Sequence, residues 1–157
     1  MTIPLPPAHA VATLLGDLIG RTVQATTGTA AKFEPALSAV GSYVDEAQAL
    51  RAVVTCDLPV GGSLGAALVV IPPGAVDDCV KARELDDSLN ENLYEVLNVL
   101  SAVFPKHGAP RLVFRELARG TAIADDVKAV IAKPGKRLDL DVSVAGYRKG
   151  KLSILTV

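Results

Sequence analysis

One stretch of the sequence, residues 86–104, limits most strongly what the chain can become. At about 100° per residue, Leu89, Leu93, Val96, Leu97, Leu100, Val103 and Phe104 fall on one broad apolar stripe. The spacing predicts a single amphipathic helix. Asp86, Asp87 or Ser88 can cap its start, where negative charge also suits the helix dipole, and Pro105 and Gly108 end it. Opposite the stripe lie Glu91, Glu95, Asn98 and Ala102, with no Lys or Arg anywhere in the helix. An ordinary solvated face mixes acids and bases as ion pairs one turn apart. This one presents a carboxylate and a carboxamide three residues apart. Asn is a poor choice for a helix interior, because its side chain competes for backbone hydrogen bonds. Asn98 therefore needs a reason, and simple solvation is one that chemistry alone leaves open. Asn92 lies at the edge of the apolar stripe and reads as structural.

The surrounding composition sets bounds. A chain of 157 residues reads as one domain spanning 1–157, with a Pro-rich extended segment at 1–7. Half of its residues are hydrophobic and only 4% are aromatic, so the core is to be built from Val, Leu, Ile and Ala. A net charge of −1 with interspersed signs offers no basic patch, which argues against nucleic-acid binding. Cys56 and Cys79 form no C-x-x-C pair and read as small reduced core residues. His9 and His107 stand alone, without the companions of a metal site or a catalytic triad. No run approaches the ~18 apolar residues of a membrane span, and 1–7 lacks the basic start of a signal peptide. The expected location is the cytoplasm.

Along the chain, 8–24 reads as a helix on Val11, Leu14, Leu15, Leu18, Ile19 and Val23, and 26–31 as a loop around Gly28. Three strands are expected next, at 37–44, 50–58 and 64–71. Pro59-Val60-Gly61-Gly62 reads as the turn of a hairpin joining the last two. The third, nearly all apolar, reads as a central strand covered on both faces, with Gly65, Ala66 and Ala67 leaving room for a helix to come close. No phosphate-loop pattern accompanies Gly65. A short helix is expected at 73–83, then the long helix, a loop at 105–110 and a strand at 111–118. A short helix begins at Asp125-Asp126. A last hairpin alternates Leu138, Leu140, Val142 and Val144 with Asp139, Asp141 and Ser143, turns at 147–150, and returns through Leu152 and Ile154. Clustered rather than alternating elements predict an α+β domain, an antiparallel sheet of about six strands packed against helices.

Glu95-Val96-Leu97-Asn98, followed by small Ser101 and Ala102, resembles the Glu-x-x-Asn helix of the CheC/CheX/FliY family of phosphatases that act on phosphorylated CheY-type receiver domains. Chain length and the order of elements resemble that family along most of the sequence. One such motif is present, which is more CheX-like than CheC-like. Two positions depart from the family pattern: Glu91 stands where Ser or Asp is frequent, and Ser101 or Ala102 where Gly commonly follows the Asn turn. The resemblance implies that Asn98 orients the attacking water and that Glu95 pairs with a Lys of the receiver, with Glu91 and Ala102 at the rim of the docking face. It implies a Mg²⁺ on the receiver and no cofactor on this chain. It also implies a weak internal duplication and a possible homodimer that exchanges strands of the C-terminal hairpin. The alternative is a non-catalytic docking or dimerisation module of the same fold. No nucleophile and base pair supports an unrelated small-molecule enzyme.

Overall fold

The structure, a computed structural model, describes residues 3–157. Six strands form one sheet: β1 (Val23–Thr27), β2 (Ser38–Val44), β3 (Leu50–Asp57), β4 (Val113–Arg119), β5 (Lys136–Val144) and β6 (Lys149–Thr156). Their order is β1-β5-β6-β3-β2-β4, and every neighbouring pair is antiparallel. The helices are α1 (Ala8–Ile19), α2 (Leu58–Leu68), α3 (Pro73–Ala82), α4 (Asp87–Leu100) and α5 (Asp125–Ala132). The α+β architecture expected from the sequence is present. The C-terminal hairpin is held inside the sheet of its own chain, with β5 on β1 and β6 on β3.

The sheet is covered on both faces. On one, α1, α2 and α4 bury Val11, Leu15, Leu64, Leu89, Leu93, Leu97 and Leu100 against Ala39, Tyr43, Val54, Leu140, Leu152 and Ile154. On the other, α5 and the turn before it bury Val127 and Ile123 against Val40, Val53 and Leu155. Alternation along the strands produces the two layers, because successive side chains point to opposite faces. Arg115 on β4 reaches to this second face, donating to both Asp126 carboxylate oxygens at 3.0 and 3.2 Å, and so fastens α5 to the sheet.

The expected strand at 64–71, and its hairpin with 50–58, are not what forms. Residues 58–68 are the helix α2, and β3 pairs with β2 and β6 instead. Asp57 marks where the strand gives way to the helix. Its carboxylate accepts from the Val60 N–H at 3.0 Å, capping a helix that Pro59 enters in its first turn. The same carboxylate accepts from the Lys151 N–H at 2.8 Å, tying that cap to β6, and its burial pushes its pKa above the ordinary value. Nine of the eleven residues of α2 are buried, so it has no polar face to betray its period. A short apolar run of this kind looks alike as a central strand or a buried helix. The space that Gly65 was expected to leave for a helix is used: a Cβ there would sit 2.6 Å from the Leu89 carbonyl oxygen of α4.

The second correction lies at the N-terminus. The helix expected over 8–24 ends at Ile19, where Gly20 takes a left-handed conformation (φ 69°) and bonds the Gly16 carbonyl. Val23 to Thr27, expected as helix end and loop, forms β1 against β5. The remaining elements follow the expected order, with the last turn at 145–148 rather than 147–150. Of the extended segment expected at 1–7, residues 1 and 2 lie outside the described residues. Ile3 is buried in the main core.

At the end of α2, the Ile71 N–H bonds the Ala66 carbonyl at 2.8 Å and the Val70 N–H bonds Ala67 at 3.3 Å. This is a Schellman closure, whose left-handed position usually holds Gly. Here it holds Val70, at φ 60° and 69% exposed. A β-branched residue in that conformation costs about 1–2 kcal/mol. Glycine would recover this cost and lose roughly 0.4–1 kcal/mol to a freer unfolded chain. Val70→Gly is therefore expected to raise the unfolding midpoint by a degree or more, read by thermal melting. Gly65→Ala has the opposite sign: forcing Cβ into the Leu89 backbone is expected to destabilise by about 1–3 kcal/mol, measured by urea titration.

Candidate functional site

Helix α4 starts under firm control. The Asp86 carboxylate accepts from the Leu89 N–H at 2.8 Å, and Asp87 places a second negative charge in the first turn. Leu89, Leu93, Val96, Leu97 and Leu100 are buried, so the apolar stripe fixes the rotation of the helix about its axis. At the C-terminal end the Ser101 N–H turns to the Asn98 carbonyl, and the chain tightens into a 3₁₀ turn over Ser101–Val103. The Leu97 carbonyl accepts from the buried Tyr43 hydroxyl at 2.6 Å. Burial holds that hydroxyl well above its ordinary pKa, so it stays a donor.

Around this end of the helix gather four of the six aromatic residues of the chain. Tyr43 packs on Phe104 and Phe114 with ring centres 5.2 and 5.5 Å apart, and Tyr94 meets Phe114 edge-on at 5.0 Å. Gly41, two residues before Tyr43 on β2, lets α4 come close to the sheet: a Cβ there would be 3.1 Å from Leu97 Cδ1. The helix is thus seated on bare backbone at two places, Gly65 of α2 and Gly41 of β2.

With the stripe buried, the opposite face is presented outward. Glu91, Glu95, Asn98 and Ala102 are all exposed. Glu95 and Asn98 are three residues apart, which sets their Cβ atoms about 5–6 Å from one another on the same side. Neither side chain has a hydrogen-bond or ion-pair partner among the described residues. Tyr94 and Val99, 44% and 38% exposed, flank the pair. Asn92 is half-buried with its Nδ2 unpartnered, consistent with a place at the stripe edge rather than on the outer face.

One part of this surface escapes a sequence reading. Asn98, Ser101 and Ala102 form one wall of a recess of about 290 Å³, completed by Lys106, Pro110, Arg111 and Val113. Lys106 and Arg111 arrive there because β4 pairs beside β2 and brings the chain back under the end of α4. The prolines at 105 and 110, which bracket the loop, were its one local signal. His107 is an exposed loop residue, as expected. Among the described residues, no cluster of three or more His, Cys, Asp or Glu side chains is arranged to hold a metal ion. None of the helices among those residues is long and apolar enough to cross a membrane.

No protein-family model matches the chain, and no curated protein resembles it in sequence. Solved structures do resemble its fold. The structure of FliY from Thermotoga maritima is similar over 94% of this chain and 83% of its own, at 14% identity and a TM-score of 0.54. The FliM middle domain from H. pylori is similar over 95% of this chain and 84% of its own, at 8% identity and a TM-score of 0.51. The chemotaxis protein CheX from Vibrio vulnificus is similar over 95% of both chains, at 12% identity and a TM-score of 0.48. The chain has a CheC/CheX/FliY-type fold.

The contact between Tyr43 and Leu97 holds the backbone directly before Asn98. Tyr43→Phe deletes the donor and leaves a carbonyl less well satisfied, at a cost of about 1–2 kcal/mol. The expected loss of roughly 2–8 °C in melting temperature is read by calorimetry. Amide hydrogen exchange is expected to quicken around Ser101 before the rest of α4.

Proposed function

We propose that this chain docks on a phosphorylated receiver domain through the outer face of α4 and promotes hydrolysis of its aspartyl phosphate. In this reading the Asn98 carboxamide orients a water molecule in line with the phosphorus. A carboxamide suits the task, since it both donates and accepts hydrogen bonds and carries no net charge. The water oxygen attacks phosphorus, the bond from phosphorus to the aspartyl oxygen breaks, and inorganic phosphate and a free carboxylate result. Positioning carries most of such a reaction, because the transferring group needs little covalent help. Glu95 pairs with a Lys of the receiver and anchors the helix across that site. Glu91 and Ala102 contact the rim, and the Mg²⁺ belongs to the partner.

One observation carries the reading: a carboxylate and a carboxamide stand exposed and unengaged on a helix whose opposite face is buried. The likeness in fold to FliY supports it. In this reading the chain works as one domain in the cytoplasm, as its length and composition suggest, and pairs with a second copy, as the resemblance implies.

A second reading has its own support. The FliM middle domain is also similar in fold, at a TM-score of 0.51 against 0.54 for FliY, which favours a docking module of this architecture that holds its partner without chemistry.

Receiver domains charged with acetyl phosphate separate the two. The chain is expected to shorten the lifetime of their phosphoryl group. Asn98→Ala is expected to slow this by about 100-fold while binding persists. Glu95→Ala is expected to raise the concentration needed for half-maximal effect. Decay at the spontaneous rate, with binding intact, would establish the docking module instead.

A further inference from the structure

Acids on the outer face of α4 and bases in the recess beside its end lie on either side of Asn98 in sequence. Glu91 and Glu95 lie one turn apart, Asn98 follows, and beyond it stand Lys106 and Arg111. The helix itself contains no base, and the recess beside Asn98 is lined by no acid. Both cations are exposed, and among the described residues neither has an ion-pair or hydrogen-bond partner. Most other cations close to the sheet are occupied: Arg115 by Asp126, Arg137 by Asp139, Lys151 by Asp141 and Arg148 by Asp77. The ends of the loop that carries Lys106 are pinned, because Phe104 and Leu112 are both buried in the main core. Arg111 directly precedes buried Leu112, so its backbone is held in place.

We infer that the Lys106 and Arg111 recess is the anion-reading half of the docking face, engaging the phosphoryl group of a phosphorylated receiver and favouring that form over the unphosphorylated one. This rests on the function proposed above and adds to it a basis for selectivity. A phosphoryl group brings close to two negative charges to the partner's surface. Two unpaired cations beside the water-orienting amide meet that charge, whereas Glu91, seven residues before Asn98 at the rim, would repel it. The placing of acid and base on different sides of the amide also disfavours the reversed docking, which sets acid against phosphate. Arg supplies a planar fork suited to two phosphoryl oxygens, and Lys a mobile point charge.

The experiment titrates the full chain against receiver domains, unphosphorylated or charged with acetyl phosphate, by fluorescence anisotropy at about 50 and about 300 mM salt. The wild-type chain is expected to prefer the phosphorylated form by at least about tenfold, and less at high salt. Lys106→Gln with Arg111→Gln is expected to lose that preference and its salt dependence, with an unchanged melting curve. Lys106→Arg with Arg111→Lys is expected to keep most of it, and Lys128→Gln, on the opposite face of the sheet, all of it. An undiminished preference in the Gln pair overturns the inference and leaves the proposed function standing. So does a wild-type chain that binds inorganic phosphate but shows no preference for the charged domain. A preference that survives in a chain unable to speed hydrolysis supports the recess and removes the catalytic role. Absence of binding to any receiver overturns both.

Discussion

The structure depends on how closely α4 can lie against its neighbours. That closeness comes from two absent side chains, at Gly65 on α2 and at Gly41 on β2. Each lets the helix rest on backbone or on a single leucine methyl. Packing of this kind leaves no slack for the helix to roll. The buried stripe then sets the orientation of the opposite face, so Glu95 and Asn98 point outward without any contact of their own holding them there.

Around that seat the chain spends its few aromatics in one place. Tyr43, Phe104 and Phe114 fill the space between α4, β2 and β4, half-exposed Tyr94 closes its edge against Phe114, and the Tyr43 hydroxyl grips the helix backbone one residue before Asn98. The same strand pairing that delivers Phe114 to this cluster delivers Lys106 and Arg111 to the far side of Asn98. Support and charge pattern therefore have one origin, the return of β4 beside β2.

Reading the residues alone succeeds where a segment has two distinct faces. α4 and the β5-β6 hairpin are amphipathic, with periods of 3.6 and 2, and both form as expected. It fails where burial erases the contrast. α2 is apolar on every side and contains three glycines, so it mimics a central strand and its entry mimics a turn. β1 fails for the opposite reason. It is a short edge strand with one buried residue of five, too polar to stand out from a loop. The Asp57 cap was readable in principle, as an Asp three residues before Val60 with Pro59 behind it. Its weight emerges only when the same carboxylate is seen to accept from Lys151 of β6.

The sequence by itself determined the α+β class, the long helix, which of its faces is buried, and the carboxylate and amide on the other. Those are consequences of local periodicity, which needs no knowledge of neighbours. Only the tertiary structure decided that 58–68 is helical, that 23–27 joins the sheet, and that two cations eight and thirteen residues beyond Asn98 stand beside it. Each of these turns on long-range contact, on which strand pairs with which and where backbone may approach backbone, and such contacts leave no period in the chain.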